Sequence, residues 1–357
     1  MFRVEIPRGS SLLIDGPAVI EALEGPCRVF GAEVKRLEVP RYRRYPVEGP
    51  CYLAVEGGSA IFLEGRAVPE DWDLDLSGSA LIAGPTDSGK SSLATYLLNR
   101  AVAEGRYVCV VDADVGQSDI GPPGLISYSC TAAKTPHISL LEPLGAFFLG
   151  STNLAGLEEL ALAGVVATYA EAKARYPHLI IINTPGWAAG RGLQLLWAIK
   201  AAVRPDVVLG LGGVQLGGRA LSTPAAVRAR DREERAAIRS AQYARFLKGL
   251  RRISASAEAL KFPCRWERGV LSCLWADYEP GDVEEPKREE GRRYKVPKER
   301  LRGLFAALYR RGELAGFGVV VELGEEVRLE AATDDFDEVR AGKIRVRRDG
   351  LELEPLP

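Results

Sequence analysis

A loop rich in glycine and serine carries the residues of this sequence that are best suited to chemistry. Residues 84–91 read Gly-Pro-Thr-Asp-Ser-Gly-Lys-Ser and satisfy the pattern G-x-x-x-x-G-K-[ST] at every fixed position. In that pattern, backbone N–H groups surround phosphates, the lysine reaches the β- and γ-phosphates, and the hydroxyl ligates Mg²⁺. The pattern predicts a site for ATP or GTP with Mg²⁺. The predicted nucleotide-binding residues here are Gly84, Thr86, Asp87, Ser88, Gly89, Lys90, Ser91 and Ser92.

Two aspartates follow the next apolar segment, in the run Val111-Asp112-Ala113-Asp114. Ligands of parallel α/β sheets bind at the carboxyl ends of the strands, so both carboxylates are expected beside the phosphate loop. We predict that Asp114 ligates Mg²⁺ with Ser91 and orients an attacking hydroxyl. For Asp112, a metal ligand and the cap of a loop or helix are equal alternatives.

The elements that position these residues predict an α/β fold with three parts. Apolar segments at 80–83, 107–111, 178–182 and 206–211 alternate with helical patterns, which predicts a P-loop domain with a parallel sheet over residues 76–255. Short apolar stretches separated by glycine and proline turns predict smaller β-rich domains over 1–75 and 256–357.

Composition limits the classes of protein to consider. The formal net charge is −1, so any polyanion site must be a local patch. No segment reaches the ~20 apolar residues of a membrane span, and we expect a cytoplasmic protein without a membrane partner. The six cysteines form no Cys-x-x-Cys pair, which favours reduced structural thiols. The scarcity of Met and Asn, with abundant charge, suggests a heat-adapted source.

Several motifs together resemble one known family. They are Asp114-Val115-Gly116-Gln117, Phe148 to Asn153, Asn183-Thr184-Pro185-Gly186-Trp187, and the arginine-rich segment after Gly213. This set is similar to the polynucleotide 5′-hydroxyl-kinase family of RNA-processing enzymes, which includes a subunit of the pre-mRNA 3′-end cleavage factor. The resemblance spans roughly residues 80–245. It implies transfer of the ATP γ-phosphate to the 5′-OH end of RNA or DNA with Mg²⁺, and protein partners in RNA processing.

The resemblance also implies roles for individual residues. Lys90 and Asp114 match catalytic positions, and Gln117 matches a glutamine near the metal and phosphates. Thr152 and Asn153 lie where the family has a loop that clasps the triphosphate, and Ser151 is an alternative for that contact. Trp187 matches an aromatic residue on which the terminal base stacks, which fits a platform that is tolerant of sequence. Ordinary core packing is the alternative for Trp187.

An arginine series forms the last predicted part of the site. Arg228, Arg232, Arg235 and Arg239 recur at spacings of four, three and four, which places them on one face if the segment is helical. The family resemblance implies a lid over residues 228–245, in which Arg235 and Arg239 are catalytic and stabilise the transferring phosphoryl group. The alternative is a solvated helix whose arginines pair with neighbouring carboxylates.

Three further alternatives concern other residues and the function as a whole. The segment Arg41 to Tyr45 interleaves arginine and tyrosine, and a surface loop is favoured over a nucleic-acid contact. His137 and His178 are expected to be structural. The competing function is an ATP-bound scaffold subunit without catalysis, and the intact Lys90 and Asp114 argue against it. A GTPase is disfavoured because the guanine-reading motif Asn/Thr-Lys-x-Asp does not occur.

Overall fold

The first part of the chain is an antiparallel β-sheet. The computed structural model describes residues 1–224 and 227–357. The strands of this sheet are β1 Phe2–Ile6, β2 Ser11–Glu24, β3 Arg28–Val29, β4 Ala32–Glu33, β5 Arg36–Val39, β6 Arg44–Glu48 and β7 Cys51–Leu63. They pair in the order β1-β7-β2-β6-β3-β4, and β5 pairs with β2. A 3₁₀ turn at Glu70–Trp72 leads out of the sheet.

The second part is an α/β domain around a mixed sheet. Its elements are β8 Gly78–Ala83, α1 Lys90–Ala103, β9 Val108–Asp112, β10 Leu125–Thr131, β11 Gly145–Phe148, α2 Glu158–Lys173, β12 Leu179–Asn183, α3 Arg191–Val203, β13 Val207–Gly210, β14 Arg219–Ala220 and α4 Arg232–Phe246. The strand order is β11-β10-β9-β12-β8-β13-β14. The four predicted apolar strands are parallel neighbours, which confirms the predicted sheet. β10 and β11 extend it, and β10 is antiparallel to both β9 and β11.

The third part contains two more sheets. Its strands are β15 Arg251–Ser256, β16 Leu260–Lys261, β17 Cys264–Glu267, β18 Val270–Cys273, β19 Asp277–Gly281, β20 Lys287–Arg288, β21 Arg293–Pro297, β22 Leu304–Arg310, β23 Glu313–Leu323, β24 Glu326–Ala331, β25 Glu338–Val346 and β26 Glu352–Leu353. One sheet has the order β15-β24-β23-β22-β25-β16, with β26 on β25, and the other is β17-β18-β19-β21-β20. Because β15 pairs with β24, the expected boundary at residue 255 falls inside a strand of this part.

The N-terminal sheet packs against the first helix of the α/β domain through a shared core. Leu93 and Leu97 of α1 are buried in one cluster with Ile14 and Val29 of the sheet. Asn99 reinforces this contact, because its amide donates to the carbonyl of Phe30 at 2.8 Å and to a neighbouring loop carbonyl at 2.7 Å. The sheet is therefore fixed to the face of the domain that carries the phosphate loop.

All six cysteines are paired, so the prediction of reduced thiols is wrong. The disulfides join Cys27 to Cys51, Cys109 to Cys130, and Cys264 to Cys273. Two of them connect directly opposed residues of neighbouring antiparallel strands. Spacing along the chain could not reveal these pairs, because strand register brings the thiols together.

No described helix has both the length and the apolar character that a membrane crossing requires.

Candidate active site

The phosphate loop lies between a buried strand and the helix that follows it. β8 ends at Ala83, and α1 begins at Lys90 after Gly89, whose φ of 93° is in the left-handed region that favours glycine. The Lys90 side chain is only 6% exposed, and its Nζ donates to the carbonyl of Pro85 at 2.9 Å. Burial lowers the pKa of Lys90, while the nearby carboxylates of Asp114 and Asp87 oppose that shift. The lysine is thus held inside the loop, where it can meet phosphate oxygens.

Asp112 is buried at the end of β9 and is surrounded by donors. Its Oδ2 accepts from the backbone N–H groups of Asp119 and Ile120 at 2.6 and 3.1 Å. Its Oδ1 accepts from Asn183 Nδ2 at 3.0 Å. Burial, followed by the charge of Asp119, raises the pKa of Asp112 to about 7. Of the two alternatives for Asp112, these contacts support the loop cap, because the side chain fixes the loop after β9.

Asp114 lies two residues further on and lines the cleft above the phosphate loop. Its Oδ1 accepts from the backbone N–H of Gln117 at 3.1 Å, and the Gln117 side chain lines the same cleft. Burial raises the pKa of Asp114, although Lys90 opposes the shift. A carboxylate whose pKa is raised is a stronger proton acceptor. The structure therefore brings Lys90, Asp114 and Gln117 together, as the sequence predicts.

A buried ion pair joins the N-terminal sheet to the same loop. Nη2 of Arg43 lies 2.6 Å from Oδ1 of Asp119, and Asp119 is only 1% exposed. Burial alone would raise the pKa of Asp119, but the charge of Arg43 and the hydrogen bonds from Arg43 and Ser91, with other neighbours, together hold this pKa at about 2. Tyr45, two residues after Arg43, stacks on His137 with ring centroids 5.5 Å apart. Burial lowers the pKa of His137 to about 4, so its ring is neutral at pH 7.

These elements enclose one cleft between the N-terminal sheet, the phosphate loop and the segment before α4. Its lining residues are Arg43, Arg44, Tyr45, Thr86, Asp87, Ser88, Gly89, Lys90, Ser91, Ser92, Asp114, Gln117, Asp119, His137, Val227, Arg228 and Arg230. Cationic side chains thus enter from three separate segments of the chain. Such a cleft suits a phosphorylated ligand.

The arginine-rich segment meets the phosphate loop at Asp87. Arg230 Nη1 and Arg235 Nη2 lie 3.0 and 2.9 Å from the two carboxylate oxygens of Asp87. Arg230 also donates from Nε to the carbonyl of Tyr42 at 3.1 Å. Arg228 pairs with Glu234 instead. Two arginines are therefore held at the mouth of the phosphate loop.

Arg239 does not reach this site in the structure. Its guanidinium is paired with both carboxylate oxygens of Glu352 in β26, at 2.7 to 2.9 Å. The predicted arginine face is also interrupted, because α4 begins at Arg232 with Asp231 as its N-cap and Arg228 precedes it. Asp231 and Glu234 form a capping box there, and the sequence Asp-x-x-Glu could have revealed this start.

Trp187 lies beside the phosphate loop but outside the cleft lining. Gly186 approaches Thr86 so closely that a Cβ atom would lie 2.9 Å from Thr86 Cα, so only glycine fits. The Trp187 ring is half-buried and lies over Gly192, where a Cβ atom would be 2.3 Å from Trp187 Cγ. In this structure, the indole packs on the start of α3.

The predicted clasp segment follows β11 at the same edge of the sheet as Asp114. The carbonyl oxygen of Thr152 lies 3.1 Å from the position of a Cβ atom on Gly116. Ser151 is buried and its hydroxyl donates to the carbonyl of Asn153 at 2.9 Å, while Asn153 is exposed. None of these three residues lines the cleft in the described part of the chain.

Arg43, Asp119 and Arg230 were missed as site residues. The sequence did single out the segment Arg41 to Tyr45, but favoured a surface loop. Arg43 reaches the cleft only because it pairs with a residue 76 positions away. No local pattern encodes such a contact. Arg230 lies just before the capping box of α4, so correct placement of that helix start would have drawn attention to it.

A strand, a phosphate loop, a helix and a carboxylate after the neighbouring strand define a P-loop nucleotide-binding protein. Residues 84–249 match the family model described as "mRNA cleavage and polyadenylation factor CLP1 P-loop". The P-loop region of this chain is therefore similar to that of the CLP1 family.

Two relatives and one solved structure are also similar to this chain. The chain is similar to a polyribonucleotide 5′-hydroxyl-kinase of Pyrococcus furiosus, with 26% identity over 80% of this chain and 95% of the relative. A second, of Thermococcus kodakarensis, is 26% identical over 76% and 89%. The fold is similar to that of Clp1p in its complex with Pcf11p, with a TM-score of 0.69, 14% identity, and coverage of 96% of this chain and 97% of that one.

Proposed function

We propose that this protein is an ATP-dependent polynucleotide 5′-hydroxyl kinase whose substrate is the 5′-OH end of RNA. The observation that carries the proposal is the position of Asp114, whose carboxylate faces the same cleft as Lys90 and the phosphate loop. At that place the carboxylate can also accept the proton of an attacking hydroxyl, a role that ATP binding alone does not require. The similar proteins of Pyrococcus furiosus and Thermococcus kodakarensis are polyribonucleotide 5′-hydroxyl-kinases, which supports the same activity.

In the proposed reaction, the 5′-oxygen of the polynucleotide forms a bond to the γ-phosphorus of ATP. The bond from that phosphorus to the β–γ bridging oxygen breaks, and ADP leaves with the bonding electrons. The hydroxyl proton passes to the carboxylate of Asp114, which lies in the same cleft. Lys90 and the loop N–H groups hold the phosphates, so the chain contributes mainly positioning and positive charge.

We propose Arg230 and Arg235 as the arginines that stabilise the transferring phosphoryl group. Both are held at Asp87 of the phosphate loop, within reach of the cleft. A phosphate group that entered would offer these guanidinium groups a stronger anionic partner than one carboxylate. Arg239 has its own partner in Glu352 and is the weaker candidate.

The residues present fit a magnesium ion. Asn183 Oδ1 is buried without a hydrogen-bond partner among the described residues, and Asn183 Nδ2 lies 3.5 Å from the Ser91 hydroxyl. Ser91, Asp114 and the Asn183 carbonyl are oxygen donors of the kind that Mg²⁺ prefers. Bound there, the ion would neutralise charge on the β- and γ-phosphate oxygens.

Transfer of labelled γ-phosphate tests the proposal. The wild-type protein should label a 5′-OH oligoribonucleotide and leave the same oligonucleotide with a 5′-phosphate unlabelled. ATP binding without transfer would instead support the scaffold alternative. An oligodeoxyribonucleotide of the same sequence, run alongside, measures the preference between RNA and DNA. Protein partners and the cytoplasmic location remain predictions.

A further inference from the structure

The edge of the central sheet that carries Asp114 continues toward the C-terminal part of the chain. β9 and β11 run in the same direction, because each is antiparallel to β10. The segment after β11, residues 149–153, therefore lies at the same edge as Asp114. Two strand spacings separate β9 from β11, which is a distance of about 10 Å. A polynucleotide that extends from the reacting end along this edge would reach residues 149–153.

Backbone hydrogen bonds fix the C-terminal sheet to this edge. The N–H of Lys343 in β25 donates to the carbonyl of Gly150 at 2.9 Å, and the N–H of Gly150 donates to Gly124 at 3.1 Å. Gly124 in turn donates to Val115, the residue after Asp114, at 2.8 Å. The strands approach so closely that a Cβ atom on Gly342 would lie 2.4 Å from Gly150 Cα. The position of Lys343 is thus defined relative to Asp114.

The Lys343 ammonium group is half-buried beside an aromatic wall. Its Nζ lies 5.9 Å from the centre of the Trp275 ring, and a Cβ atom on Gly150 would lie 3.3 Å from Trp275 Cη2. Burial lowers the pKa of Lys343, and no neighbouring carboxylate of the described residues counteracts this shift. Arg340 on the same strand differs, since it pairs with Glu338. A half-buried cation without a counter-charge is costly unless an anion is supplied from outside.

We propose that Lys343 binds a backbone phosphate of the polynucleotide, a few nucleotides from the reacting 5′ end. This inference rests on the proposed kinase function. At about 3.4 Å per nucleotide of a stacked strand, 10 Å corresponds to about the third phosphate. Trp275 shields one side of the ammonium group and restricts its position. The C-terminal sheet then forms part of the substrate groove.

An acidic segment of a partner protein is the competing ligand for Lys343. The position favours a polynucleotide, because backbone hydrogen bonds through Gly150, Gly124 and Val115 attach the strand of Lys343 to the edge of the central sheet that carries Asp114. A polynucleotide longer than the reacting end needs a binding surface beyond the reacting hydroxyl. Lys343 lies beside the edge of the sheet along which we expect that surface to continue.

The test compares a short and a long substrate in Lys343→Gln. The substrates are a 5′-OH dinucleotide, which cannot reach Lys343, and a single-stranded decamer. We expect Lys343→Gln to raise KM for the decamer about tenfold, with kcat and the KM for the dinucleotide unchanged. The slope of log Kd for the decamer against log salt concentration should fall by about 0.7, the value for one lost phosphate contact in single strands.

Two matched variants serve as controls. Lys343→Arg keeps the charge and should retain decamer binding. Lys134→Gln removes an exposed lysine that follows β10 at the opposite edge of the sheet, and should change neither KM nor the salt slope. Thermal melting of Lys343→Gln should not fall, whereas a lysine needed for folding would lower it.

The outcomes separate this inference from the kinase proposal. Absence of transfer by the wild-type protein to either substrate would contradict the kinase function itself. An active wild type with equal decamer KM and salt slope in Lys343→Gln would overturn the role of Lys343 and leave the kinase function standing. That second result would direct attention to an acidic protein ligand.

Discussion

At the scale of single residues, burial influences whether the titratable side chains of the cleft are charged or neutral. Lys90 and Asp114 face one cleft, and burial lowers the pKa of the lysine and raises that of the aspartate. Both shifts favour the neutral forms of these side chains. A bound triphosphate would reverse the shift of Lys90, because it brings negative charge close to the ammonium group.

Asp114→Asn should bind ATP normally and lose turnover. The amide is similar in size but cannot accept the hydroxyl proton, so kcat should fall about 10²- to 10⁴-fold.

Lys90→Ala should lower kcat by several orders of magnitude, since the charge at the β- and γ-phosphates disappears. Steady-state kinetics with direct nucleotide titration gives both values.

Asp282→Asn is the control for this comparison, because that carboxylate is fully exposed and lies outside the cleft. Near-normal turnover in folded Asp114→Asn would remove Asp114 from the mechanism.

His137 should make stability depend on pH. Its pKa is lowered from 6.5 to about 4, so the unfolded chain takes up a proton at a higher pH than the folded one. The contribution of the neutral, buried ring to the free energy of unfolding is fully present above pH 6.5 and is lost as the pH falls toward 4. The difference between 6.5 and about 4 corresponds to about 3 kcal/mol.

The measurement is urea unfolding of the wild type and His137→Gln at several pH values. The difference between their free energies of unfolding should shrink between pH 7 and pH 4. A constant difference for His137→Gln would show that burial does not control this ring.

At the scale of elements, the start of α4 decides which arginines reach the phosphate loop. The capping box at Asp231 and Glu234 leaves Arg230 in the preceding segment, where it can turn toward Asp87. Arg239 lies two turns into the helix and contacts β26 instead.

Arg235→Ala should lower kcat more than it weakens ATP binding. A side chain that contacts the phosphoryl group during its transfer stabilises mainly the transition state. Arg239→Ala should keep kcat within about threefold of wild type, and should lower the melting temperature because Glu352 loses its partner. The matched pair is measured by kinetics and melting. A large loss of kcat in Arg239→Ala would restore the sequence-based assignment of a catalytic lid residue.

Trp187→Ala should raise KM for a 5′-OH oligonucleotide while ATP binding is unchanged. One lost base stack corresponds to ~1–3 kcal/mol, or about ten- to a hundredfold in affinity. The ring also packs on Gly192, so melting should fall as well. Trp187→Phe should recover part of the KM. Normal use of the oligonucleotide by the folded Trp187→Ala protein would assign this ring to packing alone.

The elements predicted best are those with strong local patterns. The four parallel strands are continuous apolar runs, and α1 begins where the phosphate loop ends, so both were found. β10 was missed because its sequence, Leu-Ile-Ser-Tyr-Ser-Cys-Thr, mixes polar and apolar residues and follows a glycine- and proline-rich turn. Contacts such as Arg43 with Asp119 depend on how two domains pack, and no short window of sequence contains that information.

At the scale of the whole molecule, each of the three parts of the chain contains one disulfide, which connects neighbouring segments. The presence of these disulfides fits a heat-adapted protein, since intracellular proteins of hyperthermophiles are an exception to the rarity of disulfides inside cells.

The double variant Cys27→Ser with Cys51→Ser should lower the free energy of unfolding by about 2–4 kcal/mol. The disulfide closes a loop of 24 residues and restricts the unfolded chain. Denaturant unfolding of both proteins with and without reductant gives the difference. The variant should respond less to reductant than the wild type. Six titratable thiols in the unreduced, denatured wild type would contradict the pairing.

The packing of the N-terminal sheet has a consequence for chimaeras between relatives. Asn99, Asp119 and His137 belong to the α/β domain, but they are matched by Phe30, Arg43 and Tyr45 of the sheet. A transplanted sheet without an arginine at the position of Arg43 would leave a buried carboxylate unpaired, at a cost of about 3–5 kcal/mol. A chimaera with an exchanged N-terminal sheet therefore keeps its stability only if the partner residues of the α/β domain are exchanged as well. Sequence changes in the sheet and in the domain face that it contacts are consequently coupled.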